Sequence, residues 1–358
     1  MINRDRMVTT FCELVSIDSP SGEEDAIAAD LQQRLEDLGL TVQADDYGNL
    51  IANEGRESPL LLSAHMDTVE PGRGIKPRVE GDRIVADGTT ILGADCKAGV
   101  AAILEALQSV KEDGAAHIPI EACITRAEEP GLLGARELDY SRITAAECIV
   151  FDSPGPPSRV ISAAPTYVGF QIDIQGRAAH AGVEPEKGVP AIRVAAEIIT
   201  RLPQGRLDEE TTFNVGTIEG GQVRNAVPEY ASLVGEFRTT NAKTLDRIQQ
   251  QLTGVLAEVR KMYPNAVIND NRTTDFEAYV LTSKDKAVRR IDDAMRTVGL
   301  EMTMAPSGGG SDGNIFRQRG IEAVVVGMGA VGMHTLQEYV NIPDMVDTAR
   351  LCEALVRE

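Results

Sequence analysis

The chain has 358 residues, ordinary apolar content (42%), and 55 acidic against 35 basic side chains, for a formal net charge of −20. That length allows two domains with sizeable cores, and the charge disfavours nucleic acid and anionic membranes as partners. With no apolar run of about eighteen residues and no signal-peptide core in MINRDRMVTTFCELV, a soluble cytoplasmic protein without a membrane span is expected.

Ser21 and Glu24 stand at capping-box spacing ahead of Ile27, Leu31, Leu35 and Leu38, whose repeat predicts a helix stopped at Gly39. Short apolar runs follow at 50–52, 60–64, 118–125 and 148–151, with an Ala- and Leu-rich helix at 98–110 among them. This alternation predicts an α/β layered domain with a mostly parallel sheet. The pattern then changes. A half-buried strand at 167–174 precedes a helix at 189–202, strands at 211–218 and 230–239, a helix at 245–262 and a strand near 266–274. Strand, helix, strand, strand, helix, strand is the order of a small α+β sandwich. A helix at 284–298, a buried strand at 323–326 and a closing helix at 344–356 return to the first pattern. The expected organisation is one discontinuous α/β domain, 1–165 and 278–358, interrupted by an inserted α+β domain, 166–277.

The five cysteines, Cys12, Cys96, Cys123, Cys148 and Cys352, are scattered and form no CxxC pair. This argues against a disulfide framework or a thiolate zinc site. Most read as small buried apolar residues. Cys96 adjoins a candidate ligand, but neither neighbour is a base that would make it a nucleophile.

The candidate ligands are His65 in SAHMD, Asp95 in GADCK, Glu129 in RAEEPG, Asp152 in VFDSPG and His334 in GMHT. Two imidazoles and three carboxylates suit two adjacent divalent ions if one carboxylate bridges them. His65, Glu129 and Asp152 each follow a predicted strand, and open α/β sheets bind ligands beyond the carboxyl ends of their strands. Each has a duller reading taken singly: a structural histidine, a solvated Glu pair, a helix-capping Asp. Together they are harder to explain that way, because only Lys97 and Arg126 lie close enough in sequence to offset them. Asp67, two residues beyond His65, points the same way in an extended segment and can accept the free imidazole N–H. Glu128 and Glu129 would face opposite ways in a strand and can share a site only where it breaks, which Pro130-Gly131 supplies. One then binds metal, and Glu128 is left as the general base. His117 reads as structural, without acidic company. His180 reads as a substrate contact, and Gly309, in the run Gly308 to Gly310, as a point of close backbone approach to substrate.

The motifs SAHMDTV, GADCKAG, AEEPGLLGAR, FDSPG, GRAAHAG, RNAVP, SGGGSDGN and MHTLQEYV span nearly the whole chain. Together they resemble the dizinc peptidase and deacylase superfamily, with GRAAHAGVEPEKG and GGGSDG most similar to its peptidase T-like branch. The resemblance implies two Zn²⁺ bridged by Asp95, with His65 and Asp152 completing one site and Glu129 and His334 the other; Mn²⁺ or Co²⁺ also suit such oxygen-rich donors. It implies Asp67 as support for His65, Glu128 as base, a cis Asp95-Cys96 bond, and His180, Asn225 and Arg238 as substrate contacts. It makes the insert a ferredoxin-like lid or dimerisation domain, so a homodimer through it is expected. Many relatives carry a second acid where this chain has Cys96, and a Ser where it has Ala179.

The expected activity is metal-dependent amide hydrolysis, foremost removal of N-terminal residues from tripeptides and short peptides. An N-acyl amino acid deacylase or a carboxypeptidase is the alternative within the superfamily, and a non-catalytic peptide-binding protein the alternative outside it.

Overall fold

A computed structural model describes residues 1–357, which divide into two compact units. The first comprises 1–162, 281–307 and 311 onward; the second comprises 163–280 with 308–310.

In the first unit, strands Ile120–Thr125, Leu60–His65, Glu147–Ser153 and Glu322–Gly327 lie side by side and parallel. Leu60 to His65 and Ile120 to Thr125 are buried at every position, as befits strands covered on both faces. Strands Leu50–Asn53 and Thr41–Ala44 extend one side antiparallel, and Arg159–Ala164 pairs antiparallel to Glu322–Gly327 on the other. The helix Ala94–Asp113 packs on the central strands and against helices Arg4–Val15 and Ile342–Val356. It is buried along most of its length, including the charged Asp95, Lys97 and Glu105. Among the described residues no helix is long and apolar enough to cross a membrane.

A smaller antiparallel sheet was not foreseen. It orders Ala330–Val331, Tyr339–Asn341, Arg83–Val85 and Arg78–Glu80. Its two-residue strand at Ala330–Val331 is too short for a periodic signal. The sheet matters because His334 lies in the connection between its first two strands.

The second unit is one antiparallel sheet in the order Gly205–Arg206, Thr211–Gly220, Tyr230–Thr239, Thr166–Gln175 and Val267–Phe276, with helices Ala191–Arg201 and Ala242–Met262. Leaving out the two-residue edge strand, strand order and chain order together make it ferredoxin-like. Strand Thr166–Gln175 buries alternate residues, Val168, Phe170, Ile172 and Ile174, against Phe213, Phe237, Ile198 and Leu252.

One local reading is corrected. The helix Asp25–Asp37 has no side-chain cap from Glu24, and Ser21 is not part of a capping box. The Ser21 hydroxyl donates instead to Asp67 at 2.6 Å. Glu24 accepts from Arg126 and from the Ala127 N–H. Longer-range partners in the fold outcompeted the local cap.

Candidate metal centre

Because the central strands are parallel, their carboxyl ends share one edge of the sheet, and the candidate ligands gather there. His65 is the last residue of its strand, and Asp152 falls inside Glu147–Ser153 rather than just after it. Asp95 opens the long helix with non-helical backbone (φ −80, ψ 108) and a cis bond to Cys96. Donor atoms of His65, Asp95, Cys96 and Asp152 all lie within 4.8 Å of one another, and so do those of Asp95, Glu129 and His334. Asp95 belongs to both groups. Its Oδ1 is 3.2 Å from His65 Nε2 and its Oδ2 is 3.2 Å from His334 Nε2. His65 Nε2 is 3.6 Å from Asp152 Oδ1, and His334 Nε2 is 3.0 Å from Glu129 Oε2.

The supporting contacts explain how these side chains are held. His65 Nδ1 lies 3.2 Å from Asp67 Oδ1. The same carboxylate accepts the main-chain N–H of Glu128 at 3.0 Å and of Glu129 at 3.3 Å. The strand before these glutamates ends at Thr125, and Ala127 (φ 45) and Leu132 (φ 59) both take positive φ. The bend that lets both acids turn to one site therefore begins before Pro130-Gly131. His334 also has positive φ (63), so among the described residues three of the four non-glycine residues with positive φ belong to segments that build this centre. Cys96 Sγ donates to the Phe151 carbonyl at 2.7 Å, tying the Asp95 turn to the strand of Asp152. Gly99 permits that approach, since a Cβ there would stand 2.2 Å from the Phe151 oxygen.

Whether this set suits cations follows from its charges. Lys97 is buried, but its ammonium donates to the Ile17 carbonyl at 2.9 Å, and Arg126 pairs with Glu24 and Asp25. Both nearby cations thus point to other partners. Among protein groups alone, burial pushes Asp152 up to about 7, Glu129 above the usual carboxylate range and Glu128 well above it. Burial acts the same way on Asp95, but His334 and His65 outweigh it and bring Asp95 down to about 2. Hydrogen bonds to Asp95 and Glu129 raise His334 to about 10. Crowded, buried carboxylates facing imidazoles form a donor set that two divalent ions would neutralise, so the residues fit a dinuclear metal group.

Two acids escaped sequence reasoning. Glu338, 2% exposed, accepts main-chain N–H groups from Leu92, Gly93 and Asp95, and burial raises it to about 7. Asp312, 1% exposed at the start of helix Asp312–Gln318, accepts the Thr125 hydroxyl, while its Oδ1 has no partner among the described residues. The motifs MHTLQEYV and SGGGSDGN held both residues, and no spacing signal distinguished them. His117 has acidic company after all, with Nε2 3.5 Å from Glu54 Oε1.

The candidate substrate residues lie in the second unit. His180 Nδ1 accepts the Gly182 N–H at 3.1 Å, and the Asn225 carbonyl accepts the Ala181 N–H at 3.1 Å. Arg238 donates to Glu236 at 2.8 Å and to the Gly308 carbonyl at 3.1 Å, with its guanidinium over the Tyr167 ring. Gly309 follows Gly308 in that short segment.

An α/β sheet whose carboxyl edge gathers two donor groups around a shared aspartate, with a ferredoxin-like insert, is the arrangement of a metal-dependent hydrolase. Comparison with known proteins narrows the class. The family model for the peptidase dimerisation domain of M20 enzymes matches residues 163–264, and that for peptidase family M28 matches 49–159. The uncharacterized protein YqjE of Bacillus subtilis (strain 168) is 37% identical over 100% of this chain and 99% of its own. Aminopeptidase PepT from Bacillus cereus ATCC 10987 superposes with a TM-score of 0.88 at 36% identity, covering 99% of this chain and 98% of that one. A tripeptidase from Staphylococcus aureus reaches 0.91 at 34% identity with the same coverage. The chain belongs to the peptidase T-like branch of the M20 metallopeptidase superfamily, and it is a metal-dependent peptidase.

Proposed function

We propose that this enzyme is an aminopeptidase that removes the N-terminal residue from tripeptides and other short peptides, with two zinc ions as the native metals. The observation that carries the metal assignment is Asp95 reaching His65 with one oxygen and His334 with the other. His65, Asp95 and Asp152 would hold one ion, and Asp95, Glu129 and His334 the second. When bound, such a pair supplies Lewis acidity, polarising the scissile carbonyl and acidifying an attacking water.

Glu128 is the general base. Its carboxylate takes a proton as the water oxygen bonds to the carbonyl carbon, and returns it to the amide nitrogen as the C–N bond breaks. Among protein groups alone, burial and then the negative charge of Asp152 raise its proton affinity. Asp67 orients His65 and anchors the main chain of Glu128. His180, Asn225, Arg238 and Gly309 are assigned to substrate, with His180 at the scissile carbonyl. The match to a peptidase dimerisation domain supports a homodimer through the second unit. Five free cysteines support a reducing, cytoplasmic setting.

The tripeptide reading draws on the likeness to the B. cereus aminopeptidase and the S. aureus tripeptidase. Parallel assays on a tripeptide, its N-acetylated form and its C-terminal amide test it. Cleavage of the free tripeptide and the amide, with the acetylated form inert, is expected. Preference for the acetylated form would make the enzyme a deacylase, and loss of activity on the amide would make it a carboxypeptidase.

A further inference from the structure

The helix Ala94–Asp113 begins without a cap of its own. Its N-cap position is Gly93, at φ 70 and ψ 28, which has no side chain to offer. A side chain there would be strained by the left-handed backbone, and its Cβ would press on Thr68 Cγ2 at 3.2 Å. The opening N–H groups of a helix have no partner within it. An Asp, Ser or Thr at the N-cap ordinarily supplies one.

Here a carboxylate 246 residues from Leu92 takes up N–H groups of the turn leading into the helix, and within the helix that of Asp95. Glu338 Oε2 accepts the N–H groups of Leu92 at 2.7 Å and Gly93 at 2.8 Å, and Oε1 accepts that of Asp95 at 3.1 Å. A buried carboxylate is costly unless it is fully hydrogen-bonded, and these three bonds offset part of that cost. Glu338 also lies in the same connection as His334, between Ala330–Val331 and Tyr339–Asn341. One loop therefore delivers a candidate ligand and grips the main chain of the aspartate that the ligand must meet. Asp95 and Cys96 depart from helical geometry at this grip.

We propose that Glu338 is a positioning residue for metal binding. It sets the 92–95 turn so that the two Asp95 oxygens face His65 and His334 before any divalent ion arrives. The proposal rests on the reading of those residues as the metal centre. A residue that merely stabilised the helix would not need to grip Asp95 from the loop of His334.

The test titrates chelator-stripped wild type and Glu338→Gln with zinc chloride against a competing chelator, while the metal-free forms are melted in parallel. The glutamine has one acceptor oxygen, so it keeps either Oε1 or Oε2 contacts and sets an NH₂ against the rest. Wild type should take up two ions. The variant, with a metal-free melting point close to wild type, should bind zinc about 10–100-fold more weakly, the usual consequence of losing an outer contact to a ligand. Wild-type zinc affinity in the variant would overturn the proposal, whatever its melting point. Wild type that binds no zinc would overturn the metal reading itself and this inference with it. Should the variant melt far lower or fail to fold, amide hydrogen exchange on metal-free wild type decides. Protection of Leu92, Gly93 and Asp95 equal to that in the zinc-loaded protein supports pre-organisation by Glu338. Rapid exchange at all three after stripping would mean that the metal builds the turn, and the proposal falls.

Discussion

The carboxylate of Asp67 accepts the main-chain N–H of Glu128 at 3.0 Å, so the residue that steadies the first imidazole also fixes the segment carrying the base. Through Ser21 and the Glu129 N–H, the same two oxygens collect further donors. Asp67→Asn would turn an NH₂ towards at least one of these buried donors. Leaving such a group unsatisfied costs ~1–3 kcal/mol. The expected outcome is a lower melting temperature together with zinc affinity reduced about 10–100-fold. Calorimetric melting beside metal titration checks it, and unchanged affinity would reduce Asp67 to a structural role.

Glu128 belongs to neither donor group around Asp95. Glu128→Gln keeps its shape and removes its basicity. Turnover should fall by about 10²–10⁴-fold, the typical contribution of a general base, while both metals are retained. Elemental analysis with steady-state kinetics on a tripeptide separates the two effects. Near-normal turnover would refute the assignment, and loss of a metal would show Glu128 to be a ligand.

Much of this centre could be read from the chain because strand ends mark themselves. Leu60 to Ala64 is apolar apart from Ser63, so the polar residues after it stand out, and parallel topology sends such ends to one edge. The insert was legible for a similar reason: its alternating strands and amphipathic helices carry the two periodicities plainly. Glu338 and Cys96 were opaque as supports because their partners are main-chain groups, which leave no trace in side-chain sequence. Ser21 misled because its spacing to Glu24 fits a local cap, whereas the hydroxyl found a buried carboxylate 46 residues on. Local rules lose wherever a functional site recruits the residue.

Gly99 tests how tightly the helix must sit on the strand of Asp152. An added Cβ would lie 2.2 Å from the Phe151 oxygen and 2.9 Å from the Phe151 Cβ, and the oxygen belongs to main chain that cannot swing aside. Gly99→Ala should destabilise the protein by ~1–3 kcal/mol through overpacking. By displacing Phe151, the acceptor of the Cys96 thiol, it should also weaken zinc binding. Denaturant unfolding and metal titration report the two parts. A variant as stable as wild type would mean that the strand yields more readily than its packing implies.

Glu147 offers a pH test away from the metal centre. It opens the strand Glu147–Ser153, and its largely buried carboxylate pairs with Lys286 and, at 2.8 Å, with Arg290 of the helix Lys286–Thr297. Burial pushes its pKa up, but the hydrogen bonds and charges of Lys286 and Arg290 prevail and hold it below the usual value. The unfolded chain, with an ordinary glutamate pKa near about 4.3, therefore binds the proton more readily than the folded one. By linkage, the stabilisation is fully present above that unfolded value and is lost as pH falls through the lower folded value. Glu147→Gln should accordingly be less stable than wild type at pH 7. The gap between them should close as the solution is acidified past the unfolded value and through the lower folded one, where the wild-type carboxylate takes up its proton. Urea midpoints of both proteins, stripped of metal by chelator and measured from neutral pH to pH 3, give the comparison. A gap that stays constant across the range would show that the ion pairs contribute nothing, and one that widens on acidification would reverse the sign of the shift.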